Sequence, residues 1–99
     1  MKGVSEILVN VKVYYFSVFG KGAFTLGLDP DATVLDALNI LIGKFGDDFE
    51  KETGRNLMEA LQSYFNVFLN GKHLDLPSEL MHGLEDEDQL IILRPVGGG

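Results

Sequence analysis

Three consecutive glycines end the chain, and they are the residues whose type and position best fit a chemical role. Gly97, Gly98 and Gly99 follow Pro95 and Val96. Residues without a Cβ can thread a narrow channel and approach another backbone closely, so this tail could carry a terminal carboxylate into a partner's active site. To react as an acyl donor the carboxylate must first be activated, and adenylation with ATP would activate it. The alternative is a flexible tail without a chemical role.

The chain itself offers no machinery for that activation. It lacks a phosphate-binding loop of the Gly-x-x-x-x-Gly-Lys-Ser/Thr type, so a separate activating enzyme would have to use the ATP. The absence of cysteine excludes a disulfide framework, a thiolate zinc site, an iron–sulfur cluster and a cysteine nucleophile. His73 and His82 have no third ligand at metal spacing and are interpreted as ordinary surface residues. We therefore expect a protein that is not an enzyme and that binds no cofactor or metal.

The charge balance limits the classes of molecule that this protein could bind. Eight basic residues stand against 15 acidic residues, for a net charge of −7, which disfavours nucleic acid and anionic membrane surfaces. The acidic run at residues 85–88 lacks the pattern of an EF-hand and is interpreted as a solvated turn that could also dock a basic partner. No apolar stretch reaches transmembrane length, and the first residues lack the apolar core of a signal peptide. We expect a cytoplasmic protein.

The amino-terminal half predicts a β-hairpin followed by a helix. Residues 7–16 and 23–28 alternate in apolar character, as half-buried strands do, and Gly20-Lys21-Gly22 is interpreted as the turn between them. Thr33 and Asp36 form a capping-box pattern. The apolar spacing after it predicts a helix over residues 34–45, with Gly46 at its end.

The carboxy-terminal half predicts three strands after a less regular insertion. Residues 47–64 could extend the helix toward Gly54 and then form a short second helix. Residues 65–69 form a strand, Asn70-Gly71 is a tight-turn dipeptide, residues 72–76 a short return strand and residues 89–94 the last strand.

Alternation along these elements separates a core from a surface patch. The residues expected to be buried are Val11, Val13, Leu26, Leu38, Leu41, Val67, Leu69, Leu90 and Ile92, together with Phe24, Phe45 and Phe65. Phe68, Ile91 and Leu93, with Arg94 beside them, fall on the opposite face. Such an apolar patch usually marks an interface, so we predict that these residues bind a partner. The alternative is that the insertion at residues 47–64 covers them.

The order of elements predicts an α+β fold of the β-grasp, or ubiquitin-like, type. A mixed sheet of about four to five strands carries one main helix across one face and a short helical insertion. The helix returns the chain so that the next strand lies beside the first. Residues 1–94 would form a single domain and residues 95–99 a flexible tail.

Five motifs in this order resemble the MoaD/ThiS-type ubiquitin-like sulfur carriers, and MoaD in particular. Residues 11–16 (Val-Lys-Val-Tyr-Tyr-Phe) resemble their first strand, and residues 33–38 (Thr-Val-x-Asp-Ala-Leu) their helix opening. Residues 67–72 (Val-x-Leu-Asn-Gly-Lys) resemble their Asn-Gly strand and turn. Residues 84–90 (Leu-x-Asp-x-Asp-x-Leu) resemble the turn before their last strand, and residues 95–99 (Pro-Val-Gly-Gly-Gly) their terminal motif.

Two positions depart from the family's pattern. Glu87 stands where the family usually has glycine, which predicts a different turn there, because a non-glycine residue at positive φ is mildly strained. Gly97 replaces the more usual Ser or Ala. The insertion is also bulkier than in the smallest carriers, which argues against the thiamine-pathway ThiS type.

The resemblance implies a function for the tail. A MoeB-like activating enzyme would adenylate Gly99, and sulfur transfer would convert it to a thiocarboxylate. As the small subunit of molybdopterin synthase, the protein would insert its tail into a MoaE-like large subunit. It would then donate sulfur to a pterin precursor in molybdenum cofactor biosynthesis. The same resemblance extends to protein modifiers joined through Gly99 to lysines and to sulfur carriers for tRNA thiolation, and these alternatives stay open.

Overall fold

Two long strands form one edge of the sheet. The computed structural model describes residues 8–17 and 20–94. Within them, β1 (Val9–Ser17) and β2 (Gly20–Leu28) pair in antiparallel fashion. The hairpin is confirmed, but the turn predicted at residues 20–22 is wrong, because these residues already belong to β2.

A close contact gives Gly22 a different purpose from the one predicted. Gly22 lies opposite Tyr15 in the β1–β2 ladder. A Cβ at Gly22 would lie 2.7 Å from the Tyr15 hydroxyl oxygen, so any larger residue would displace the ring. The glycine therefore serves the approach of an aromatic side chain across the sheet and not a tight turn.

The main helix is longer than predicted. α1 spans Val34–Thr53 and begins with the expected capping box, in which Thr33 accepts from the Asp36 backbone and the Asp36 carboxylate accepts from the Thr33 backbone. It does not end at Gly46. It continues until Gly54, whose left-handed φ of 74° ends it. Phe49 explains the extension, because its side chain is buried in the core from this additional stretch of helix.

The rest of the predicted insertion folds onto the same core. α2 spans Leu57–Ser63 and begins at the N-cap Asn56. Its apolar residues Leu57, Ala60 and Leu61 belong to the same buried cluster as Val67 and Leu69. The insertion therefore packs on the helix side of the sheet. It does not cover the opposite face, and that alternative is wrong.

Three short strands complete the sheet. β3 (Asn66–Leu69) and β4 (Lys72–His73) follow α2, and β5 (Gln89–Leu93) comes last. The described sheet has five strands in the order β2-β1-β5-β3-β4. β5 runs parallel to β1 and antiparallel to β3. The strand beside β1 is therefore the last strand and not the one that follows the helices, which corrects the predicted neighbour. The mixed sheet and two helices confirm the β-grasp architecture.

The predicted core is confirmed almost completely. All of the aliphatic residues expected to be buried are at most 6% exposed, and Phe65 is buried with them. Phe24 and Phe45 are only half-buried, which corrects their assignment. Their rings pack with Tyr15 at the margin of the core, with centroid distances of 5.9 Å and 5.1 Å to the Tyr15 ring.

The connection between β4 and β5 contacts the first turn of α1. The backbone carbonyls of Leu80 and His82 accept hydrogen bonds from the Leu35 and Val34 amides, at 2.8 Å and 2.9 Å. These contacts satisfy amide groups that the first turn of a helix otherwise leaves without partners. Among the described residues, no helix combines the length and apolar character needed to cross a bilayer.

Residues 85–88, here called the acidic turn, fix the position of β5. The Asn10 amide donates to the Asp86 carboxylate at 2.8 Å, and the Glu87 amide donates to the Asn10 carbonyl at 2.8 Å. Asp88 accepts from the Asn70 side chain and from the Glu85 amide, each at 2.8 Å. The turn thus bonds to the start of β1 and to the β3–β4 turn. Glu87 keeps a left-handed φ of 70°, so the backbone conformation that suits glycine persists here without glycine.

The core assignment yields a first prediction. Changing Leu38 or Leu69 to Ala should lower the free energy of unfolding by about 2–5 kcal/mol, because each side chain leaves a cavity. Urea denaturation followed by circular dichroism measures this. Met81→Ala is the control, since Met81 is 70% exposed and its loss should have little effect. Small losses at both leucines would mean that the buried faces are assigned wrongly.

The acidic turn yields a second prediction. Glu87→Gly should raise the free energy of unfolding by up to about 1 kcal/mol, because glycine adopts positive φ without the strain that a Cβ causes. Glu85→Gly removes the same charge and is the matched control. It should be neutral or destabilising, since Glu85 is not among the positive-φ residues of the described chain. Equal shifts for the two variants would attribute the effect to charge.

Candidate functional site

The tail predicted to carry the reactive carboxylate follows the last described residue. Residues 95–99 lie outside the described residues, so the roles assigned to Gly99 and to the rest of the tail stay predictions. β5 ends at Leu93, and Arg94 after it is exposed. Since β5 lies between β1 and β3, a partner that binds the sheet around β5 also lies beside the start of the tail.

The predicted partner-binding residues come together on the sheet. Phe68 of β3 lies directly opposite Ile91 of β5, and Leu93 lies opposite Asn66. Their alternation with the buried Leu90, Ile92, Val67 and Leu69 places them on the face away from the helices, here called the open face. Phe68, Ile91 and Leu93 are each half-buried. The sequence thus located this patch correctly, although its role in binding is not tested by its position.

The strand order extends the patch into a row across the whole sheet. The register places Ala23, Tyr14, Ile91, Phe68 and His73 side by side on the five strands. The His73 ring meets the Phe68 ring edge-on at 5.2 Å, and its Nε2 lies 3.2 Å from the Asn66 side-chain oxygen. These residues, with Leu93, are here called the central row. It is a continuous apolar and aromatic surface with a polar edge.

Tyr14 is the member of this row that the sequence analysis did not identify as a binding residue. The alternation of β1 places Tyr14 on the face opposite the buried residues Val11 and Val13. Its neighbour became clear only when the structure placed β5 beside β1, where Tyr14 lies opposite Ile91. The period of 2 along β1 and β5 gives the face on which Tyr14 and Ile91 each lie. It does not show that the two strands are neighbours, so the sequence could not place the two residues side by side.

The acidic side chains border this surface but do not stand on the strands that form it. None of the described strands contains an Asp or Glu residue, although the chain has 15 acidic residues. The carboxylates that the structure describes therefore lie on helices and connections. On the open face an apolar centre is bordered by polar residues, among them Lys12, Gln89 and His73, and the acidic turn lies beside Lys12 and Gln89. An exposed apolar patch of this kind suits contact with another protein.

The acidic turn lies at the other end of β5 from the tail. Asp86 and Asp88 use their carboxylates for internal hydrogen bonds, so they hold the fold together and are less available to a partner. Glu85, Asp86 and Glu87 are all exposed. A basic partner attracted to this turn would meet these three side chains first, with the Asp86 carboxylate already bonded to the Asn10 amide. Across the described residues, no group of His, Asp and Glu is arranged to hold a metal ion.

Proteins of known structure share this fold. No protein-family model and no curated protein sequence matches the chain. Solved structures do. The HVO 2177 protein of Haloferax volcanii matches with a TM-score of 0.66 and 25% identity, covering 100% of this chain and 94% of its own. Small archaeal modifier protein 1 of Methanosarcina acetivorans matches with a TM-score of 0.64 and 28% identity, covering 94% of this chain and 99% of its own.

A third neighbour is described by a role in molybdopterin conversion. A Pyrococcus furiosus protein, provisionally assigned as subunit 1 of a molybdopterin converting factor, matches with a TM-score of 0.54 and 21% identity, covering 89% of this chain and 99% of its own. At that identity the likeness concerns the fold alone. The strand order and these neighbours agree with the motifs read from the sequence. The chain therefore has the ubiquitin-like β-grasp fold of the MoaD/ThiS type.

Proposed function

We propose that this protein is a sulfur carrier that works through a thiocarboxylate at Gly99, as the small subunit of a molybdopterin synthase. One observation carries the proposal. An apolar face whose described strands contain no carboxylates is built around β5, and three residues after β5 ends the chain reaches its three terminal glycines. A docking face joined to a thin reactive tail is what a carrier needs, because the face fixes where the tail can reach.

Activation of the tail takes place on a separate enzyme. The Gly99 carboxylate attacks the α-phosphorus of ATP on a MoeB-like activating enzyme, and pyrophosphate leaves. Hydrosulfide, or a donor that delivers sulfur at that oxidation level, then attacks the acyl carbon and displaces AMP, so that a C–S bond replaces the C–O bond to AMP and a thiocarboxylate remains at the chain end. No side chain of this protein takes part in either step, so the protein acts as a cosubstrate. It binds no cofactor of its own, and it works in the cytoplasm where the activating enzyme and ATP are found.

Sulfur delivery requires a second partner. A MoaE-like large subunit binds the open face and admits the tail to its active site, where the thiocarboxylate sulfur is transferred to the pterin precursor. Glycines 97–99 pass through the entrance because they carry no side chains. Binding energy comes from Phe68, Ile91 and Leu93, with Arg94 at the base of the tail. The acidic turn contributes by steering basic groups of a partner over longer distances.

A protein modifier is the second candidate. It is favoured by the 28% identity to a solved archaeal modifier protein over nearly the whole chain. In that function the adenylated Gly99 passes to a lysine amine and forms an isopeptide bond, without sulfur remaining on the product. A carrier for tRNA thiolation would share the thiocarboxylate but deliver it elsewhere. Two mass measurements on material from the native cell separate carrier from modifier. An intact mass of this protein with one oxygen replaced by sulfur marks a carrier. Peptides of other proteins with a glycine remnant on lysine mark a modifier.

The proposal predicts a specific effect of shortening the tail. Deleting Gly98 and Gly99 should abolish adenylation, because the carboxylate no longer reaches the nucleotide, while the midpoint of thermal unfolding stays unchanged. Pyrophosphate release in the presence of the activating enzyme measures the first, and calorimetry the second. Adding one residue after Gly99 is a second test and should block activation equally, because it displaces the reactive carboxylate. A truncated protein that is still adenylated would refute the role of the tail.

The open face yields a separate prediction. The double change Phe68→Ala and Leu93→Ala should weaken binding to the large subunit by about 30-fold or more, equivalent to roughly 2 kcal/mol, because central apolar anchors dominate interfaces. The loss of unfolding free energy should be smaller, since both side chains are only half-buried. Isothermal titration calorimetry measures the affinity.

Two exposed apolar residues elsewhere provide the control. Tyr64→Ala with Met81→Ala removes side chains that are 46% and 70% exposed and that lie outside the central row. Its affinity should match that of the unmodified protein. An unchanged affinity for the Phe68 and Leu93 variant, with the fold intact, would show that the interface lies elsewhere.

A further inference from the structure

The β3–β4 turn contains a chemical feature that the tail does not use. Asn70 is followed by Gly71, whereas the other asparagines, Asn10, Asn39, Asn56 and Asn66, precede Val, Ile, Leu and Val. A backbone nitrogen that belongs to glycine is the least shielded by its own side chain. The side-chain amide of Asn70 is therefore the one best exposed to attack by the backbone nitrogen that follows it.

Hydrogen bonds engage this side chain at both ends. The Asn70 Nδ2 donates to Asp88 Oδ1 at 2.8 Å, and the Asn70 Oδ1 accepts from the Gln89 amide at 2.9 Å. The Asn70 backbone amide also donates to the Gln89 carbonyl, at 2.8 Å. These three bonds, here called the Asn70 latch, join the β3–β4 turn to the acidic turn at the point where β5 begins.

We propose that Asn70 is a site of spontaneous deamidation that the latch suppresses. When the latch opens, the Gly71 nitrogen attacks Asn70 Cγ. A bond forms between these two atoms, the Cγ–Nδ2 bond breaks, and Nδ2 leaves as ammonia with the proton from the Gly71 amide. Water then opens the cyclic imide to give aspartate or isoaspartate at position 70. The reaction needs no enzyme and no co-reactant other than water.

The product cannot close the latch again. Aspartate at position 70 still accepts from the Gln89 amide, but it presents an acceptor oxygen to Asp88 where Asn70 presented a donor. Two carboxylates would then face each other at hydrogen-bond distance, which is unfavourable for both as anions. The isoaspartate form also lengthens the backbone in a tight turn. Deamidation therefore loosens the start of β5, the central strand that leads to the tail. The stability of the protein falls with time as deamidated molecules accumulate.

Incubation of the full-length protein tests the reaction. Samples held at 37 °C and mildly alkaline pH are digested and mapped by mass spectrometry. The peptide that contains Asn70 should gain the mass of one deamidation severalfold faster than the peptides with the other asparagines. Asp88→Ala should accelerate it further by removing the partner of Nδ2. Asp86→Ala is the matched control, because it removes a neighbouring carboxylate that bonds Asn10 and not Asn70.

Exchange of the two side chains tests the consequence. Asn70→Asp should lower the midpoint of thermal unfolding by roughly 5–10 °C, since it removes a hydrogen bond and adds repulsion. The double variant Asn70→Asp with Asp88→Asn restores a donor facing an acceptor and should recover most of this loss. If the single variant does not fold, the recovery is measured as the return of a cooperative transition in the double variant.

Three results would overturn the proposal. The first is a deamidation rate at Asn70 no higher than at the other asparagines. The second is equal acceleration by Asp86→Ala and Asp88→Ala at matched stability, which would mean that the rate follows global unfolding and not the latch. The third is a double variant no more stable than Asn70→Asp alone.

Discussion

The placement of the last strand between the first and the third is the constraint on which the rest of the structure depends. β5 pairs with β1 on one side and β3 on the other, and its residues Leu90 and Ile92 are 0% and 2% exposed. These pairings join distant parts of the chain, so their formation costs conformational entropy that local contacts do not offset. Hydrogen bonds from the acidic turn to β1 and to the β3–β4 turn, just before β5 begins, offset part of this loss of entropy.

This constraint also decides how the two faces of the sheet differ. The helices cover one face with a continuous core, and no described helix packs on the other face of the five strands. An acidic protein with a net charge of −7 could place carboxylates on that face, and the strands contain none. Charge that maintains solubility is carried by helices and loops, and the open face keeps the apolar character that an interface core requires.

In the proposed function, the open face binds a partner and the glycine chain end carries the reactive group. A flexible tail alone would present its carboxylate in many directions. Docking through a sheet whose central strand continues into the tail reduces these directions to a few, and positioning of this kind accounts for a large part of many rate enhancements. Under the proposed function, the fold positions the chain end and the partner enzymes supply the catalytic groups.

The sequence by itself determined the periodic features. Alternation in β1, β3 and β5 identified the buried residues and the patch at Phe68, Ile91 and Leu93, because a strand's period of 2 sorts its residues by face whatever its neighbours are. The capping box at Thr33 likewise fixed the start of α1. The sequence also set the terminal glycines, on which the proposed chemistry rests.

Only the tertiary structure decided which strands are neighbours. β5 beside β1, Tyr14 in the central row, Gly22 beneath the Tyr15 ring and the extension of α1 to Thr53 all follow from contacts between residues far apart in the chain. Every strand here has the same period, so alternation cannot say which strand pairs with which. The length of α1 was decided in the same way, because burial of Phe49 against the core outweighs the weak helix propensity of Gly43 and Gly46.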